Sequence, residues 1–254
     1  MATFSHFCYF KDMIKKNKKA VGELTYGIHP LLELLKAKNR KLIAIYTTKP
    51  VPKGWALIEK EMPQYPVQIQ YVSRDVLTRM AETTDHQGVV SWVQPFPYRK
   101  KPFDSKIQKK LVMLDGIQDP RNLGAIIRSA YCTGMDGVVL CKRGAAPLNA
   151  VAIKASAGLA EHMPIYEAAS AQAAAQELKQ AGYNLYLATL DGADATTCDY
   201  KEPMCVVIGG EGFGVTKSIY SMGTRVTLPQ KTADISYNAS VAAGILMFLV
   251  TNKK

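Results

Sequence analysis

Apolar positions along this chain switch between two periods, and the switches mark its elements. Residues 29–39 carry leucines at helical spacing, with Pro30 at an early position where its missing N–H costs nothing. Residues 41–48 read as a strand, 54–62 as a helix, 66–73 as a strand with alternating apolars, 74–82 as a helix and 87–94 as a closing strand. After residue 110 the pieces lengthen. Strands are expected at 111–116, 137–141, 184–190, 205–210 and 225–229. Helices are expected after Asn122, after Pro147, across 170–182, after Gly214 and across 238–250. Alternation of this kind predicts an α/β fold, a small N-terminal module followed by a mostly parallel sheet with helices on both faces. Ligands of such sheets bind beyond the carboxyl ends of the strands. There the chain gathers its glycines and polar residues: Asp115-Gly116, Asp191-Gly192, the stretch 209–214, and the segment from Pro229 onward.

Residues 95–110 have three prolines (Pro95, Pro97 and Pro102), many charges and no apolar period, and read as a linker. The chain therefore divides into a basic arm at 1–22, a small α/β unit at 23–94, the linker, and a larger unit at 111–254. The small unit has no nucleophile–base pair, which favours a binding role for it.

Composition adds a partner class. The net charge of +11 suits a polyanion. Lys11, Lys15, Lys16, Lys18 and Lys19 cluster in the arm, and Arg99, Lys100, Lys101, Lys106, Lys109 and Lys110 in the linker, as phosphate contacts require. The five cysteines are scattered, which argues for buried or half-buried free thiols rather than disulfides, and the four histidines form no metal-ligand pattern. The longest apolar run, 241–250, is too short to span a bilayer, which takes roughly 20 residues. A cytoplasmic protein without membrane attachment is expected. Tyr183 and Tyr186 read as strand residues, not base-stacking platforms.

Residues 206–218, VVIGGEGFGVTKS, pose the chemical question. They approach a phosphate-binding loop, but Val215 stands where its lysine belongs, Lys217 comes two residues late and faces elsewhere, and Glu211 lies inside the loop. A carboxylate about 4 Å from a phosphate would cost roughly 4 kcal/mol at intermediate dielectric. A ligand with adenine and ribose, no phosphate and a positive charge would tolerate Glu211, and S-adenosylmethionine answers that description.

Three segments together resemble the SpoU, or TrmH-type, RNA 2′-O-ribose methyltransferases of the SPOUT class. These are LDGIQDPRNLGAIIRSAYCTG at 114–134, VVIGGEGFGVT at 206–216, and the LPQ and ISYNASVAAGI segments that follow. The first unit, with YGIHPLLELL and DHQGVV, is similar to the substrate-binding domain that many members carry in front. The resemblance implies a trefoil-knotted catalytic domain, a homodimer with an active site completed near the subunit interface, and S-adenosylmethionine as cofactor. It places catalytic roles on Asn122, Arg128, Glu211, Ser236 and Asn238, and cofactor contacts at Thr189, Gly209, Leu228 and Tyr237. Members often have leucine where Tyr237 stands and histidine where Arg121 stands. Asn122 is expected to cap its helix, with Arg128 nearly two turns in, gripping an RNA phosphate.

The implied reaction is 2′-O-methylation of a ribose in RNA, with a guanosine of 23S rRNA favoured by the accessory domain. The lysine arm keeps tRNA open as substrate. A noncatalytic RNA-binding protein that kept the fold is the rival of another class, and a nucleotide hydrolase, lacking the loop lysine, comes third.

Overall fold

The structure is a computed structural model describing residues 22–232 and 236–252, so all of the basic arm but Gly22, with its lysines, Cys8 and His6, lies outside the described residues. Two sheets organise the chain. The first contains β1 (Glu23–Tyr26), β2 (Leu42–Thr47), β3 (Gln68–Tyr71) and β4 (Val89–Val93) in the order β1-β4-β2-β3, with β2 and β3 parallel and the other pairs antiparallel. The last strand in sequence is thus central, which explains why Val89, Val90 and Val93 are fully buried. Helices α1 (Ile28–Ala37) and α2 (Trp55–Lys60) cover one face, where Leu31, Leu34, Ile45, Ile58 and Val93 form a core. Helix α3 (Arg74–Ala81) covers the other through Leu77. Strand β1 was not anticipated, because four residues with only two buried positions carry too little pattern.

The second sheet is all parallel in the order β10-β8-β9-β5-β6-β7. Its strands are β5 (Lys110–Asp115), β6 (Gly137–Cys141), β7 (Ile165–Ala168), β8 (Asn184–Asp194), β9 (Met204–Gly209) and β10 (Thr224–Thr227). Both faces are covered, so the strands are continuously apolar and successive residues serve different cores. Val112, Leu114, Val206 and Ile208 pack against α4 (Pro120–Thr133), α5 (Ala150–Ala155) and α7 (Ala239–Asn252). Leu111, Met113, Cys205 and Val207 join α6 (Ala171–Gln180) on the opposite face. Gly124 allows α4 to meet α5, since a Cβ there would lie 2.2 Å from the Ala152 carbonyl oxygen. Among the described residues no helix is long and apolar enough to cross a membrane.

Several expectations need correction. The segment after Gly214 forms a short 3₁₀ turn, Lys217–Met222, instead of an α-helix, and β7 was not foreseen. Asn122 does not cap α4. Asp119 does, accepting from the Arg121 N–H, and Asn122 sits inside the first turn. Cys132 is exposed on α4, not buried; Cys141 and Cys205 are buried. Burial pushes the Cys141 thiol up to about 12 and raises Cys205 too, so both stay protonated and unreactive.

The stretch 95–110 is no loose tether. Phe96 and Phe103 are buried in the large domain's two cores. The Arg99 N–H donates to the Ile165 carbonyl at 2.8 Å and bridges beside β7, while its guanidinium lies 4.5 Å from the Phe103 ring centre. Arg99 is therefore held by the fold, and Lys110 pairs with Glu202 at 3.2 Å. Lys100, Lys101 and Lys106 remain exposed. Tyr183 and Tyr186 are both buried, their hydroxyls donating to the Gln108 and Asp199 carbonyls.

The small domain is clamped to the large one through the turn Leu159–His162. Arg40 reaches across to Glu161 with both Nε and Nη2, and each side chain is almost wholly enclosed. Asn39 donates to the Glu161 carbonyl at 2.8 Å, and His162 meets Glu33 at 2.9 Å.

His86 fastens the loop before β4. It is buried, its Nδ1 accepts from the Gly88 N–H at 3.0 Å, and Nε2 faces the Thr78 hydroxyl at 3.1 Å. An Nδ1 acceptor means a neutral ring with Nε2 protonated. Burial lowers its pKa, Arg74 and Lys154 add to that, and Asp85 opposes it. A depressed histidine favours folding above its unfolded value of 6.5 and loses that contribution as pH falls through the folded value. Wild-type stability measured by urea unfolding should therefore drop below pH 6.5, by at most about 1.4 kcal/mol per pH unit from this group. His86→Asn should flatten that limb while lowering stability at neutral pH.

Candidate active site

The site lies at the carboxyl ends of β8, β9 and β10, against the start of α7. Strand β8 makes the first wall. Its pairing with β10 breaks between Leu187 and Ala193, which register on Arg225 and Val226, so residues 188–192 swing out of the ladder. That excursion carries Thr189, Leu190 and Asp191 to the rim. A strand expected to stop at residue 190 instead rejoins β10 and runs on to Asp194.

The glycine-rich loop after β9 makes the second wall, and its geometry accounts for its sequence. The Gly210 N–H donates to the Asp115 carbonyl at 2.9 Å, and Gly214 N–H closes back on the Gly210 carbonyl at 2.9 Å. Buried Asp115 also accepts from the Thr216 N–H at 2.7 Å. A Cβ on Gly210 would stand 2.1 Å from the Gly116 carbonyl oxygen. The glycines thus permit backbone-to-backbone packing, which no side chain would allow.

Between these walls opens a cavity of about 900 Å³. Seven of the nine site residues expected from the sequence line it: Thr189, Gly209, Glu211, Leu228, Ser236, Tyr237 and Asn238. The Tyr237 hydroxyl donates to the Pro229 carbonyl at 3.4 Å, tying the phenol to the segment that carries Leu228. The Thr189 hydroxyl is enclosed with no partner at hydrogen-bonding geometry, although it lies near enough to Asp191 to help hold that carboxyl below its usual range.

Asn122 joins from α4 through hydrogen bonds. Asn238 uses both ends of its amide: Oδ1 accepts from the Ser240 N–H at 2.9 Å and so caps α7, while Nδ2 donates to Asn122 Oδ1 at 3.2 Å. Asn122 Nδ2 in turn donates to Glu211. The chain Asn238–Asn122–Glu211 ties the starts of α4 and α7 to the glycine loop.

Arg128 is the residue the fold does not bring into this cavity. It is exposed on α4 and makes no hydrogen bond or ion pair among the described residues. Its neighbour Ser129 lies 3.6 Å from where a Gly244 side chain would begin, so Arg128 stands beside the α4–α7 seam.

A profile of the SpoU rRNA Methylase family matches residues 109–248, and one for RNA 2′-O ribose methyltransferase substrate binding matches residues 24–99. The chain belongs to the SpoU rRNA methylase family. YacO of Bacillus subtilis (strain 168), named for the TrmH family of tRNA/rRNA methyltransferases, is 34% identical over 240 residues, covering 90% of this chain and 94% of the relative. The 23S rRNA (guanosine-2′-O-)-methyltransferase RlmB of Shewanella oneidensis is 30% identical over 235 residues, covering 89% and 95%. Among solved structures, an AdoMet-bound rRNA methyltransferase from Sinorhizobium meliloti superposes with a TM-score of 0.75 at 21% identity, covering 92% of this chain and 88% of that one. The substrate-binding match thus covers the small domain and the SpoU methylase match the large one.

Among the lining residues that sequence reading of the SpoU segments missed are Leu190, Phe213, Lys217 and Gln230. Lys217 corrects an expectation: it lines the cavity, because a 3₁₀ turn replaces the expected helix and changes its direction. Leu190 and Phe213, 68% and 92% exposed, had a visible signal, being large apolar residues set among glycines and acids.

Proposed function

We propose that this protein transfers the methyl group of S-adenosyl-L-methionine to a ribose 2′-hydroxyl of RNA, with a guanosine of 23S rRNA as the target. The observation that carries the reading is the single cavity that gathers seven separately placed residues and is locked by Asn238, Asn122 and Glu211. Its volume suits a ligand of that size. Thr189 offers a hydroxyl on the cavity wall, Leu190, Leu228 and Tyr237 offer apolar surface for a purine, and Lys217 offers a cation for a carboxylate. Glu211, which argued against a phosphate, suits a positively charged sulfonium. When bound, the cofactor supplies the electrophilic methyl group.

What remains for the protein is orientation and charge. Asn122 and Asn238 hold Glu211 and the two helix starts in fixed relation. Ser236, exposed at the rim, is placed to hydrogen-bond the ribose or its phosphate. Arg128 grips a phosphate bidentately and stabilises the developing alkoxide by its charge, since a guanidinium has no lone pair to act as a base.

A second subunit completes the site. Helix α7 is apolar nearly all round, yet Val241, Ile245 and Phe248, at spacings of four and three, leave one face exposed at 49%, 37% and 59%. Such a stripe on a helix that already buries its other face marks a protein interface. It flanks the seam beside Arg128, so a twofold pairing of α7 would place each arginine by the partner's surface.

Separated 23S rRNA, 16S rRNA and tRNA from a strain lacking the protein, each incubated with labelled S-adenosyl-L-methionine, test the substrate. Label confined to 23S rRNA is expected. Label confined to tRNA would overturn the choice of substrate, and cofactor-free RNA binding without transfer would favour a noncatalytic role.

A further inference from the structure

Phe213 is not explained by the fold. It is 92% exposed, at the tip of the glycine loop, and a Cβ on either flanking glycine would meet nothing within 4 Å. Looseness of the loop does not account for that exposure. Both ends are pinned, by Gly214 to Gly210 and by Thr216 to Asp115, and the adjacent Glu211 is bonded to Asn122. The ring stands on a ridge between two hollows. One is the cavity just described; the other, of about 620 Å³, opens at the carboxyl ends of β5, β6 and β7 and also reaches Gln118 and Arg143. Arg143 is exposed and has no ion-pair partner among the described residues, whereas the preceding Lys142 is neutralised by Glu167 at 2.8 Å. A rigidly presented aromatic, a free guanidinium and an amide around one hollow form the combination that receives a nucleotide: stacking for the base, charge for the phosphate.

We propose that Phe213 is a stacking platform for a nucleobase of the RNA substrate, with Arg143 across the second hollow taking a phosphate of the same strand. This rests on the methyltransferase reading and adds a positioning residue to it. The stacked base lies next to Glu211, so the contact sets the strand's register relative to the reacting ribose.

The test compares wild type with Phe213→Ala, Phe213→Leu and Phe213→Trp, using total RNA from a strain lacking the protein. Phe213→Ala and Phe213→Leu should each lose about ten-fold or more in kcat/KM for RNA, the usual cost of removing one base–aromatic stack, and Phe213→Trp should restore it. Cofactor affinity by calorimetry should fall by much less than kcat/KM, because the ring stands on the cavity's rim, and subunit assembly by ultracentrifugation should stay at the wild-type value. Arg143→Gln should weaken RNA binding and reduce its salt dependence by about one counterion. Full activity in Phe213→Leu would overturn the proposal, as would a matching loss of cofactor affinity or a change of assembly. A wild-type protein that methylates no RNA would overturn the underlying reading as well; an active wild type matched by Phe213→Ala would overturn this inference alone.

Discussion

Replacing Arg128 by alanine is expected to lower kcat by about a hundred- to a thousand-fold, the range for removing one preorganised donor from a developing oxyanion. The fold should not notice. Arg128 is exposed on α4 and holds no structural partner among the described residues, so stability should stay within about 0.5 kcal/mol of wild type. Cofactor affinity should also hold, because Arg128 does not line the cavity that contains Thr189, Leu228 and Tyr237. Arg128→Lys separates charge from shape. It keeps the positive charge but loses the planar fork, and should recover only part of the rate. Single-turnover methyl transfer at saturating cofactor reads both variants. A lysine variant with near-wild-type turnover and an unchanged pH profile would remove any special role for the guanidinium.

The largest stability effect is expected at the domain clamp. Arg40→Met removes the only counter-charge among the described residues that touches both oxygens of Glu161, whose side chain is 1% exposed. Stranding a buried carboxylate costs about 3–5 kcal/mol, and burial at this depth leaves little solvent screening to reduce it. Glu23 adds to the loss, since it is an anion as well and gives up the same arginine, which it bonds at 3.1 Å from a half-exposed position. Burial already pushes the Glu161 carboxyl up against the opposing pull of Arg40. With the arginine gone that rise loses its main opposition, leaving only the weaker pull of His162, so the folded state of the variant takes up protons that the unfolded chain does not. Its deficit should therefore shrink as pH falls toward the ordinary glutamate value of 4.5. Urea unfolding of Arg40→Met across that range checks the sign, and the double variant Arg40→Met/Glu161→Leu should regain most of the loss at neutral pH.

Much of this architecture was written in period and spacing. The runs at 111–116, 137–141 and 205–210 were legible because a parallel sheet buried on both faces demands uninterrupted apolar residues. The site was legible as a set of motifs, and the cavity gathers most of them. What escaped depends on partners distant in sequence. Arg40 looks like any surface arginine until Glu161, 121 positions later, is folded onto it. Asn122 looks like a helix cap because it precedes an apolar run, yet Asp119 takes that place and frees the amide for Glu211 and Asn238. Phe96 and Phe103 sit in a stretch whose prolines and charges hide two core residues. Lys217 was misdirected by assuming an α-helix where the chain makes a 3₁₀ turn.

The most direct measurement is the chemical identity of the product. RNA labelled by the wild-type protein from methyl-tritiated S-adenosyl-L-methionine would be hydrolysed in alkali and its nucleosides identified by mass. Transfer to a ribose 2′-oxygen blocks cleavage at that position, so the label should emerge in one alkali-resistant dinucleotide, and Arg128→Ala should yield almost none. Label released as a base-methylated mononucleotide, or no label from RNA that the protein binds, would contradict the assignment of this cavity to ribose methylation.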